Sequence, residues 1–144
     1  MKPLNATRSL RTERLRVVQP LGWRRPKGYA NGIVAEGRLL FIAGQIGWDP
    51  RSTAAKLPRG FAAQFDRALA NVLDVLREAG GEPGNLARLT IYVASKKEYR
   101  AAMKQVGEAY RRRMGSHFPA MALVEVSSLL EDDAKVEIEA TAVL

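Results

Sequence analysis

The sequence contains no cysteine, which excludes disulfides, thiolate chemistry and every Cys-based metal site. It contains one histidine, His117, so a Ser-His-Asp arrangement would have a single residue to draw on and a multi-histidine metal cluster is out of reach. The acidic run Glu131-Asp132-Asp133 lacks metal-ligand spacing and reads as a solvated turn. No glycine-rich phosphate loop of the GxGxxG or Walker type is present, which argues against dinucleotides and nucleoside triphosphates. No apolar run approaches the ~20 residues that a membrane-spanning helix needs. The N-terminus is charged and lacks an apolar signal-peptide core, so a cytoplasmic protein with no membrane partner is expected. Neither a cofactor nor a metal is expected.

What is present fits one folded domain over residues 1–144, with 47% apolar and 26% charged residues. The formal charge of +8 is unevenly spread. Residues 1–31 hold eight basic residues against Glu13 alone, whereas the remaining chain has 15 basic and 14 acidic residues. Such a segment can bind phosphates, with Trp23 beside Arg24 and Arg25 as a stacking element, or it can be a solvated tail leading into an edge strand. Residues 1–12 show no periodicity and are expected to be flexible.

Hydrophobic periodicity supplies the elements. Short strands are expected at Leu15–Val18 and at Ile33–Ala35, with Glu36-Gly37 as a hairpin turn into a strand over LLFIAGQI, Leu39–Ile46. That strand is apolar on both faces and so must be covered on both. Phe61, Phe65, Leu69, Val72 and Leu76 form one helical stripe ended by Gly80-Gly81, with Gln64, Asp66, Arg67 and Asp74 on the polar remainder. A strand over Leu86–Ala94 follows. Ser95 with Glu98 is a capping-box signature for a second helix, whose end carries Arg111, Arg112 and Arg113. These cations suit the negative end of the helix dipole; a phosphate patch is the alternative. The final stretch reads as two strands joined by an acidic connection, with Glu125, Glu137 and Glu139 mid-strand. The expected architecture is α+β, a mixed sheet of about six strands with two helices on one face. The other face, taken to include Met121 and Leu123, is left for self-association.

Several stretches together resemble the YjgF/RidA (Rid) family: KGYANGIVAEGRLLFIAGQIGWDP (27–50), QFDRALANVLDVLREAGG (64–81), LARLTIYV (86–93) and HFPAMALVEVSSLLEDDAKVEIEATAV (117–143). The resemblance implies a chorismate-mutase-like fold and a homotrimer enclosing a central barrel, with small-molecule clefts between subunits. Archetypal members hydrolyse enamines and imines such as 2-aminoacrylate to the keto acid and ammonia. Carried over position by position, the resemblance assigns Tyr29 and Glu137 to catalysis and Gly44, Gln45, Phe118 and Met121 to ligand binding. Met121 stands where the archetype has the Arg that clamps the substrate carboxylate, and Ala43 stands where it has a hydroxyl. A thioether cannot neutralise a carboxylate, so efficient hydrolysis of 2-aminoacrylate is not expected and a neutral or less polar ligand is. The leading expectation is a hydrolase of some other imine or enamine. The alternatives are a non-catalytic ligand-binding or regulatory trimer, and an endoribonuclease or translation inhibitor. For the last, RNA affinity can draw on the basic segments, but a catalytic histidine pair is missing.

Overall fold

The computed structural model describes residues 14–54 and 56–144; the tail expected to be flexible, residues 1–12, lies outside them. The order is β1 (Leu15–Val18), β2 (Gly32–Ala35), β3 (Leu39–Ile46), α1 (Phe61–Glu78), β4 (Leu86–Val93), α2 (Lys96–Ala101), α3 (Met103–Met114), β5 (Ala120–Glu125) and β6 (Val136–Val143). The six strands divide into an antiparallel β1-β2 ribbon and a four-stranded mixed sheet ordered β3-β6-β4-β5. Only β4 and β5 run parallel, and α2 and α3 form the crossover between them.

Two expected connections are corrected. Glu36-Gly37 does not fold β2 back on β3; instead β3 pairs with β6 from Leu39↔Val143 to Ile46↔Glu137. Arg38 and Leu144 extend that ladder by exchanging both backbone hydrogen bonds, at 3.0 and 2.8 Å. Likewise β5 and β6 are not neighbours, because β4 lies between them. Periodicity identifies a strand's faces but carries no information on which strand fills the hydrogen-bonding edge beside it.

Helix α1 forms where the apolar stripe predicts, burying Phe65, Leu69, Val72 and Leu76 essentially completely, each contributing ~1.5–3 kcal/mol. It ends in a Schellman motif. The Gly81 amide donates to Leu76 O and the Gly80 amide to Arg77 O, both at 2.9 Å, with Gly80 at φ +83°, a left-handed conformation natural to glycine. Two residues assigned to the solvent side or to neither side are in fact buried. The Gln64 amide nitrogen donates to Pro58 O and Asp133 O, while its oxygen accepts from the Lys135 amide at 2.8 Å. Asn71 donates to Ile46 O and Trp48 O. Gln64 thereby holds loop backbone on both sides of the helix, and Asn71 holds the end of β3 and the loop that follows it.

The second helix is interrupted at Ala102. Ser95 does cap it, its hydroxyl accepting from the Glu98 amide at 3.2 Å, but the Glu98 carboxylate turns outward to Lys135 at 2.7 Å. Arg112 and Arg113 reach back to Asp66 on α1, so two of the three consecutive arginines fasten helix to helix.

The helices cover one sheet face, bounded by Leu89, Ile91 and Val93 of β4 and Ile138, Ala140 and Ala142 of β6. Met121 and Leu123 pack on this same side, because β5 sets them opposite Leu89 and Ile91. Their assignment to the uncovered face is therefore corrected: both parities of β5 are apolar, and alternation alone could not choose. The uncovered face carries Phe41 (74% exposed), Leu39 (61%) and Val124 (44%), interspersed with Arg88, Tyr92, Glu137 and Glu139.

Candidate functional site

The mid-strand carboxylates do three different things. Glu125 accepts from the Lys96 amide at 2.9 Å, adding negative charge to the first turn of α2. Glu139 accepts from the Tyr92 hydroxyl at 2.8 Å, and that bond pushes the phenol above its ordinary pKa. Glu137 has neither a side-chain hydrogen bond nor an ion pair among the described residues, and it is half-buried.

What positions Glu137 is a bulge. Between Ile42↔Ala140 and Gln45↔Ile138, β3 spends one residue more than β6, leaving Ala43 and Gly44 out of the regular ladder. The Glu137 carboxylate lies against Gly44, where a Cβ would fall well inside contact distance of Oε1 and 2.9 Å from Cδ. Only glycine at position 44 lets the carboxylate lie this close to the backbone. Gln45 folds along its own strand, donating to Ala43 O at 3.1 Å. Gly44, Gln45 and Glu137 thus form one group on the β3 side of the sheet.

A second group lies towards the β5 edge, on the helix side. The Ala30 amide donates to Pro119 O at 2.9 Å and Ala30 bridges Ala120, which brings the loop carrying Tyr29 alongside β5. Tyr29, Phe118 and Met121 line a cavity of about 610 Å³ between that loop, β4-β5 and the α2-α3 pair. Its volume is within the range of small-molecule sites. Phe118 stacks on Tyr110 with centroids 5.2 Å apart and planes 5° from parallel. Tyr110 donates to His117 O at 2.7 Å, and burial pushes its phenol well above the ordinary value, so it is a fixed neutral wall. His117 bonds Leu86 O at 2.7 Å through Nε2. A carbonyl only accepts, so this nitrogen carries the proton, and the one histidine serves the structure.

The predicted site residues therefore fall into two groups, Tyr29, Phe118 and Met121 on one side and Gly44, Gln45 and Glu137 on the other, and one protomer does not bring them together. Lys27 and Arg111 also line the cavity and were not assigned to the site from the sequence. The available signal was that three consecutive helical residues point ~100° apart, so Arg111, Arg112 and Arg113 cannot share one role. Among the described residues, no cluster of His, Cys, Asp or Glu is suited to a metal ion, and no helix is long and apolar enough to cross a membrane.

The family model described as Endoribonuclease L-PSP matches residues 24–144. Among curated proteins, the chain is 32% identical to the 2-iminobutanoate/2-iminopropanoate deaminase of Bos taurus over 115 residues, covering 80% of this chain and 79% of that one. It is 33% identical to the enzyme of the same name from Escherichia coli K12 over 107 residues, covering 74% and 80%. Among solved structures, YyfB of Yersinia pestis, a Rid-family protein of unknown function, aligns with a TM-score of 0.77 at 31% identity over 91% of this chain and 99% of that one. The yjgF gene product of E. coli aligns with a TM-score of 0.65 at 31% identity over 92% and 94%.

Proposed function

The chain belongs to the YjgF/RidA family, and from that premise we propose that it hydrolyses an imine or enamine, releasing ammonia and a carbonyl compound. The observation that carries the reading is Glu137, a carboxylate lodged on the Gly44 bulge and in no ion pair among the described residues. A carboxylate so placed can take a proton from water as the oxygen adds to the C=N carbon, and return it to the departing nitrogen. An enamine first takes a proton on carbon to become the imine. The balance is one water consumed and one ammonia released, with no redox step. Tyr29 orients the ligand, Phe118 and Met121 wall it, and the Gly44–Gln45 backbone offers hydrogen-bonding groups.

The two halves of the site sit towards opposite edges of the sheet, at β5 and at β3. Completing the site calls for the β5 side of one copy to meet the Gly44–Glu137 side of another. Such an interface is heterologous, and when its rotation closes it gives a ring. The exposed Phe41 and Leu39 on the helix-free face favour the same arrangement. A homotrimer with clefts between subunits is the ring we propose.

The test is ammonia release from a panel of imines formed in situ from amino acids, comparing wild type with Glu137→Gln. Turnover by the wild type and a loss of ~100-fold or more in the variant is expected. Saturable binding without turnover across the panel would replace the hydrolase with a ligand-binding trimer. RNA cleavage that persists on repurification and vanishes with Tyr29→Phe or Glu137→Gln would instead support the nuclease reading.

A further inference from the structure

The cavity beside α3 has a polarity of its own. At its mouth stand Lys27 and Arg111, both exposed and, among the described residues, neither in an ion pair nor in a side-chain hydrogen bond. No Asp or Glu lines the cavity. Arg112 and Arg113 cannot join them, since both are spent on Asp66: the Arg113 Nε and Nη2 bond the two carboxylate oxygens at 2.6 and 3.0 Å, and Arg112 adds a third contact at 3.2 Å. Arg111 lies on the other side of the helix. Its guanidinium rests over Gly107, one turn earlier, with Nη1 3.5 Å from where a Cβ would stand. The bare Gly107 backbone leaves room along the cavity wall beside the cation. The interior is apolar, built from Ile91, Leu123, Val106 and the Tyr110–Phe118 stack. The Tyr110 hydroxyl is already committed to His117 O.

We propose that this cavity binds carboxylates bearing an aromatic or extended apolar tail, with Arg111 and Lys27 holding the carboxylate at the mouth and the tail lying against the Tyr110–Phe118 stack. The cation that Met121 does not supply from β5 comes from α3 and from the Tyr29 loop. A carboxylate ligand departs from the expectation of a neutral or less polar one, which was drawn from Met121 alone. An anionic group needs fixed cations to offset its desolvation, and a planar guanidinium matches two carboxylate oxygens. The volume of about 610 Å³ exceeds what a ligand as small as 2-aminoacrylate fills, which is why a tail belongs to the ligand. As an identification of substrate class this rests on the hydrolase reading; as a statement about binding it does not.

The experiment titrates the full chain with 3-phenylpropanoate, its neutral amide 3-phenylpropanamide, and acetate, by calorimetry and by NMR, in wild type, Arg111→Gln, Lys27→Gln and the double variant. Melting curves establish that each variant is folded. In the wild type, 3-phenylpropanoate should bind ~10-fold or more tightly than either the amide or acetate. Arg111→Gln should abolish the preference for acid over amide, while Lys27→Gln should reduce it. Equal affinity for acid and amide in the wild type, or a preference for the acid that survives in the double variant, overturns the proposal. The same proteins are then assayed with imines of phenylalanine and alanine. Carboxylate binding lost in Arg111→Gln with no imine turned over leaves this site standing and removes the hydrolase. Imines hydrolysed with a KM indifferent to Arg111→Gln and Lys27→Gln leave the hydrolase standing and remove this site as its substrate-recognition element.

Discussion

A methyl group at position 44 would occupy space that the Glu137 carboxylate now fills. The obstructing atoms are the end of a side chain that can swing away, and Gly44 is not at positive φ. Gly44→Ala is therefore expected to fold with a stability change under about 1 kcal/mol while displacing the carboxylate. Displacement of ~1 Å can reduce turnover ~100-fold. Thermal melts beside the ammonia assay check both halves, and a variant that keeps full activity would separate Glu137 from the chemistry. Met121 invites the opposite change. It lines an open cavity, so Met121→Arg can place a guanidinium there without enclosing it. Turnover of small carboxylate-bearing enamines and imines such as 2-aminoacrylate should rise ~10-fold or more, the scale of one charge-assisted hydrogen bond. A kcat/KM no higher than that of the wild type counts against the site.

The elements are held to one another by a few polar side chains that do not belong to the apolar stripe. Gln64 serves three backbone groups at once. Replacing it with leucine leaves those part-buried groups without protein partners. At ~0.5–1 kcal/mol for each part-buried bond, a loss of about 2 kcal/mol is expected by denaturant unfolding. The Asp66 anchor between α1 and α3 behaves differently. Its hydrogen bond to Arg113, and the charges of Arg113 and Arg112, hold the carboxyl below its ordinary pKa of 3.8. A depressed folded-state value means that the carboxylate stabilises the fold above pH 3.8 and loses that contribution as pH falls through the lower folded value. Asp66→Asn should thus cost about 1 kcal/mol near neutral pH, the scale of a partly exposed pair. The difference between wild type and variant should disappear in strong acid, which melting curves across pH would reveal.

Among the described residues, the sheet has one covered face and one bare one. Phe41 stands 74% exposed on the bare face, partway along the edge strand β3 and paired across the ladder with Thr141. If the proposed trimer buries it, Phe41→Lys places a charge in that interface and should yield monomers by sedimentation at concentrations where the wild type sediments as a trimer. Because the two halves of the site lie on different sides of one chain, loss of the trimer should abolish imine hydrolysis without altering the fold of the monomer seen by circular dichroism. A monomeric wild type that remains active would break the link between assembly and activity.

Strand and helix positions were legible in the amino-acid order because they depend on local periodicity and punctuation. The stripe of α1 with its Gly80-Gly81 stop, the Ser95 cap and the alternation of β6 each lie within a few residues of chain. The family resemblance, carried by stretches between residues 27 and 143, was legible for the same reason. Contacts between distant residues were not. Whether β6 pairs with β5 or with β3 and β4, and whether Met121 faces helices or solvent, depend on which strand edges find each other. The same holds for Gln64 being buried and for Arg111 parting from Arg112 and Arg113 to line the cavity. A side chain has the same local pattern in either case, so tertiary packing alone decided those questions.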